Sequence, residues 1–264
     1  MVSRFREVER TVMRRRNIGR LLYVALLAVA SCATLSASPI FGTFNFGGSI
    51  TATATTITWT SDTMPPFVNV AVVGGVPTGS FATAGLVSGN PIGVSPLNSA
   101  TEPANSTTFA PPLPFITFAA STGLPALMIN RVFHGINGAA GCMATPAAIG
   151  QMCTVAGPPD SPFNFVNNNG GLNGGPAATA TFAMSGVAAD GLSIWSANFT
   201  AQFPVPFQTV LATLGTAGSV SNTFSATLIA APAGVPEPGS MVLMGFGLGL
   251  VLLAMGLRRR SSRP

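Results

Sequence analysis

The chain has 264 residues, of which 47% are hydrophobic and only 7% charged, with a formal net charge of +5. It contains no lysine: seven of its twelve arginines lie in the first twenty residues, four (Arg258, Arg259, Arg260 and Arg263) follow residue 257, and Arg131 alone belongs to the long middle section. A nucleic-acid surface needs clustered Lys/Arg on the folded domain itself, so the basic charge does not make nucleic acid a partner.

In chain order, the first element is a ten-residue apolar stretch, Leu21–Ala30, preceded by arginines and followed by small residues. It is too short to span a bilayer and is flanked as a secretory signal peptide is, so residues 1–37 are read as that signal. The arginine-bearing lead is long if Met1 is the start, whereas Met13 would place Arg14, Arg15 and Arg16 directly before the apolar core. Cleavage after Ala33 and after Ala37 both remain open, Val29-Ala30-Ser31-Cys32 loosely matches a lipidation box, and Arg15-Arg16 is a partial twin-arginine match.

Residues 38–234 form the body, long enough for one sizeable core. Thr51 to Ala54, Ile57 to Thr60, Leu113 to Phe118, Ala178 to Met184, Leu192 to Phe203 and Phe224 to Ile229 carry β-branched or aromatic residues at period two, the pattern of half-buried strands. Turn signals separate them: Gly47-Gly48, Gly74-Gly75, Asn167-Asn168-Asn169-Gly170-Gly171 and Asp190-Gly191. Phe207 to Leu214 is the one short helical candidate. The expected class is all-β, an antiparallel sandwich or jelly-roll-like body between a signal peptide and a C-terminal transmembrane helix. Ser49 to Asp62 and Thr179 to Ser196 resemble each other loosely, a likeness that the Thr/Ala/Gly bias accounts for. Ser95 to Pro114, dense in Ser, Thr and Pro, reads as a long loop or an extended, glycosylated connector.

Chemistry is sparse in this body: Asp62, Glu102, Asp160 and Asp190 are its carboxylates, His134 its histidine and Arg131 its arginine. Acid–base and covalent catalysis need titratable groups held within hydrogen-bond reach. No Gly-x-Ser-x-Gly elbow accompanies His134, and no acidic loop offers calcium its ligands. No catalytic residue, metal or cofactor is expected. A carboxylate pair for glycoside hydrolysis is the surviving enzymatic alternative. Trp59 and Trp195 are the candidates for stacking on sugar rings, against the plainer reading of two core tryptophans. Cys142 and Cys153, exported to an oxidising compartment, are expected to form a disulfide.

The tail reads Val235-Pro236-Glu237-Pro238-Gly239-Ser240, then seventeen uncharged residues from Met241 to Leu257, then Arg258-Arg259-Arg260. Seventeen helical residues rise about 26 Å, near the lower limit for crossing a ~30 Å hydrocarbon layer. The arginines would stay cytoplasmic and stop transfer. This tripartite arrangement over 235–264, with its span at 241–257, resembles the PEP-CTERM sorting signal of Gram-negative bacteria. The resemblance implies exosortase as a partner, transient membrane residence, cleavage near Pro236-Glu237-Pro238 and delivery to the cell surface or extracellular matrix. It also implies association with exopolysaccharide and biofilm. The expected function is thus a non-catalytic surface or matrix protein; the alternative is a secreted carbohydrate-binding module or glycoside hydrolase. Glu237 is the one charge at the outer end of the span, where a recognition group would sit.

Overall fold

The computed structural model describes residues 38–60, 70–105, 107–156 and 161–234, together with Gly247 and Gly249. The signal segment 1–37, Asp62, Asp160 and the sorting residues Val235, Pro236, Glu237, Pro238 and Arg258 to Arg260 lie outside the described residues, as does the 241–257 span apart from those two glycines. Among the described residues, no helix is long and apolar enough to cross a membrane.

The body is all-β, as its periodicity predicts. Long strands are β1 (Gly42–Thr53), β10 (Ala177–Ala188), β11 (Ser193–Phe203) and β12 (Ser219–Pro232). Shorter ones are β2 (Thr56–Thr60), β3 (Val70–Val72), β4 (Pro91–Val94), β5 (Leu97–Asn98), β6 (Leu113–Thr117), β7 (Leu127–Val132), β8 (Met152–Cys153) and β9 (Asn164–Asn168). Among the described residues of the body, the α-helices are α1 (Gly79–Thr83) and α2 (Phe207–Ala217).

Eight of these strands pair antiparallel in the order β1-β3-β4-β6-β7-β10-β11-β12, and β12 returns to β1 along its whole length, Gly42 opposite Ala230 through Thr53 opposite Ser219. The pairing closes a single barrel in chain order, where a sandwich or jelly roll would keep two facing sheets. Period-two patterning sets which side chains point inward but not which strand lies alongside. The closing contact joins segments as distant as Asn45 and Thr227, 182 residues apart.

Strand faces divide cleanly. Along β11, Trp195, Ala197 and Phe199 point inward and are buried, while Ile194, Ser196 and Asn198 are exposed. Outside, uncharged groups pair across strands: Thr51 Oγ1 with Ser221 Oγ at 2.7 Å, and Thr227 Oγ1 donating to Asn45 Oδ1 at 2.9 Å. Apolar-in and polar-out is the reverse of a transmembrane barrel, whose lipid face is apolar. Inside, rings interlock. Phe182 stacks on Phe199 at 4.7 Å, Trp59 lies 5.0 Å from Phe199, and Phe115 lies parallel to Trp195 at 5.9 Å. Such pairs add about 0.5–1.5 kcal/mol each beyond their area burial.

The two loosely similar segments prove to be hairpin-forming: β1 with β2, and β10 with β11, each ending on an inward tryptophan. The second turns at Asp190-Gly191, where Asp190 Oδ1 accepts from Leu192 N–H at 2.9 Å and Gly191 has φ 71°. Ser95 to Pro114 folds onto the body, burying Leu97, Glu102 and Ala104.

Candidate functional site

At one end the barrel wall forks. The edge of β1 that pairs with β3 at Phe46–Gly47 pairs with β2 from Ser49 to Ala52. On the other side, β10 holds β7 from Met184 to Ala188 and β9 from Ala177 to Thr181. β2 pairs antiparallel with β5, and β9 with β8, so each branch carries its own short ribbon. Between the branches lies a cavity of about 400 Å³. Its inner wall comes from inward positions of the long strands, Ile50, Ala52, Ala180 and Ala201 among them, and α2 lays Val210, Leu211 and Leu214 against it.

α2 is held there by a residue far away in sequence. Asn167, fully buried in β9, accepts from Phe207 N–H through Oδ1 at 2.9 Å, a cap for the helix N-terminus where Pro206 offers none. Its Nδ2 donates to Gln208 Oε1 at 3.0 Å and to Gln151 Oε1 at 3.3 Å, while Gln208 Nε2 donates to Gln151 Oε1 at 2.6 Å. Gln208 Nε2 also donates to the Ala144 carbonyl at 3.2 Å. Three buried or half-buried amides thus join β9, α2 and the loop before β8. The same loop is stapled by the Cys142–Cys153 disulfide, with Cα atoms 4.9 Å apart. Asn167 sits in a run that reads as turn chemistry, and only its side-chain burial gives it this different role. At the far end α2 stops at Gly218, φ 75°, whose N–H donates to the Leu214 carbonyl at 3.0 Å.

Among the described residues, the titratable groups do not converge. Glu102 lines the cavity; its Oε2 accepts from Asn98 N–H at 2.7 Å and its own N–H donates to the Asn98 carbonyl, so the carboxylate closes the Asn98–Glu102 turn. Asp190 caps the β10–β11 turn, two residues past the Ala188 end of β10, whereas the cavity-lining Ala180 lies eight strand residues, or roughly 26 Å, before Ala188. The Asp190 turn thus follows the end of β10 remote from the cavity-lining Ala180. His134 is exposed, and the Arg131 guanidinium packs 4.3 Å from the centre of the Phe133 ring. Among the described residues, no cluster of three or more His, Cys, Asp or Glu is placed to hold a metal.

Both tryptophans belong to the core. Trp59 is 4% exposed with Nε1 donating to the Ser95 carbonyl at 2.9 Å, and Trp195 is 3% exposed with Nε1 donating to the Met128 carbonyl at 3.0 Å. A sugar platform needs an open ring face, and neither indole presents one. The sequence showed their amphipathic setting but not which face of the strand turns inward.

No protein-family model matches the chain, and neither a curated protein nor a solved structure does.

Proposed function

We propose that this chain is an exported, non-catalytic surface or matrix protein of a Gram-negative bacterium, sorted through its Val235–Arg260 tail, and that the barrel is the cargo delivered. The observation that carries the reading is the order of the tail: Pro236-Glu237-Pro238, an uncharged run of near-minimal spanning length, then three arginines. The two prolines keep the motif extended. The short span draws Glu237 toward the headgroups, within reach of a membrane protease of the exosortase type.

Three features of the body support export without catalysis. A disulfide suits an oxidising compartment. The outer strand face offers hydroxyls and amides with almost no charge, a surface compatible with packing among polysaccharide chains. Glu102 and Asp190 each complete a local turn at separate ends of the fold, which weighs against an acid–base pair between them.

The test is a reporter fused to residues 235–264, expressed in a host that has exosortase. The wild-type tail is expected to insert and be processed, and Glu237→Ala to insert equally but stay uncleaved. If both remain full length, the tail is a permanent anchor and the sorting reading fails.

A further inference from the structure

We propose that the forked end of the barrel is a binding site for one uncharged, hydrocarbon-rich small molecule. Protein interiors pack to the density of organic crystals, and the half of this barrel around Trp59, Trp195, Phe115 and Phe199 does so ring against ring. At the fork the inward positions change character. Ala180 faces Ala201 across the β10–β11 pair, and Ala52 faces Val220 across β1–β12. Alanines on the paired strands β10 and β11, and Ala52 on β1 across β12, leave the hollow of about 400 Å³, and Phe163, Phe165, Leu97 and the α2 leucines close around it. An apolar cavity of ~150 Å³ takes up one benzene, so this volume suits a molecule on the order of fifteen carbon atoms, two or three rings or a chain of that size.

The polar groups of the wall define what the occupant lacks. Thr53 Oγ1 is paired with Thr56 Oγ1 at 2.8 Å, Ser161 Oγ accepts from Phe163 N–H at 3.3 Å, and Asn222 Nδ2 donates to the Gln202 carbonyl. These groups are engaged by the protein. Thr55 and Ser99 are the other hydroxyls of a mainly apolar lining, so recognition comes chiefly from apolar burial. Among the described residues, no Lys, Arg or His lines the cavity, and Glu102 is its one ionisable group. A carboxylate in a low-dielectric wall repels an anion with no cation to offset it, which disfavours fatty-acid anions and favours neutral ligands. The site stands on the barrel alone and does not depend on how the tail is processed.

The experiment uses the full chain in lipid nanodiscs, titrated with the neutral fluorescent probe N-phenylnaphthylamine against empty discs. Saturable binding of one probe per chain is expected above the lipid background. Ala201→Phe fills the hollow and should weaken binding by about tenfold or more. Leu214→Trp occludes it from a half-buried helix position that tolerates bulk without entering the core, and should do the same. Anilinonaphthalene sulfonate, the same ring system with an anionic group, should bind about tenfold more weakly than the neutral probe. Strand circular dichroism checks that each variant is folded. Signal no greater than empty discs, unchanged affinity in whichever variant is folded, or equal binding of the sulfonate would each overturn the proposal.

Discussion

Gly186 shows how closely single residues are fitted in this barrel. A Cβ there would overlap the Met128 carbonyl oxygen and lie 2.7 Å from Trp195 Nε1, the two atoms that share a hydrogen bond. The backbones of β10 and β7 shift register beside it, between Ser185 and Gly186, and the indole fills the space that a side chain would take. Gly186→Ala should therefore cost about 2–3 kcal/mol through overpacking and a disturbed buried hydrogen bond. A urea midpoint for the exported protein that does not move would contradict this. The residue scale is also where the sequence was least legible. The stretch Asn167 to Gly171 carries the residue types of a turn, yet its first two residues extend β9 and only the later ones turn. Asn167 becomes a hub because β9 brings its amide to the α2 N-terminus, a meeting that exists only once both elements are packed. Trp59 and Trp195 were visible as candidates; their inward orientation depends on strand register, which a one-residue shift would reverse.

At the scale of elements, β10, β11 and β12 were readable because each holds enough period-two residues to stand above the Thr/Ala background, whereas β1 was legible only from Thr51. Gly47-Gly48, expected as a turn, lie inside that strand opposite Ser225 and Phe224, because cross-strand pairing with β12 holds them extended. β3, β5 and β8, with two or three residues each, carry too little pattern to be seen alone. The helix was visible from Phe207 to Leu214 and continues to Ala217, where Gly218 ends it. The disulfide is the element-level feature with a measurable consequence. It closes a loop of sequence separation 11 in a lobe that contributes one two-residue strand, β8, at the sheet edge. On the chain-entropy account that closure stabilises by about 3 kcal/mol. The double variant Cys142→Ala/Cys153→Ala should lose roughly that much stability while keeping a strand-dominated far-UV spectrum, because the barrel closes elsewhere. A variant as stable as the parent would show that the lobe contributes nothing to the folded state, and a helical spectrum would contradict the all-β body itself.

For the whole molecule, closure of the ring was beyond the reach of periodicity. β1 and β12 lie near opposite ends of the body and meet only in the folded state, so the same strands are equally consistent with two facing sheets until that pairing is known. The hollow end was hidden for a related reason. Ala52, Ala180 and Ala201 look like the alanines of the outer face until register places them inward, on β1, β10 and β11. The tail lies outside the described residues, and its proposed role rests on the sequence alone, where an apolar run followed by arginines is a linear signal that needs no fold to be read. The proposed role of this tail is to sort and release the barrel. Peptide mass mapping of the protein recovered outside the cells of a native, exosortase-bearing host tests it most directly. The account predicts barrel peptides with the Cys142–Cys153 link intact, a new C-terminus near Pro236-Glu237-Pro238 and no peptide from Met241 to Arg260. Recovery of the barrel only from the inner membrane, still joined to the 241–260 segment, would contradict it.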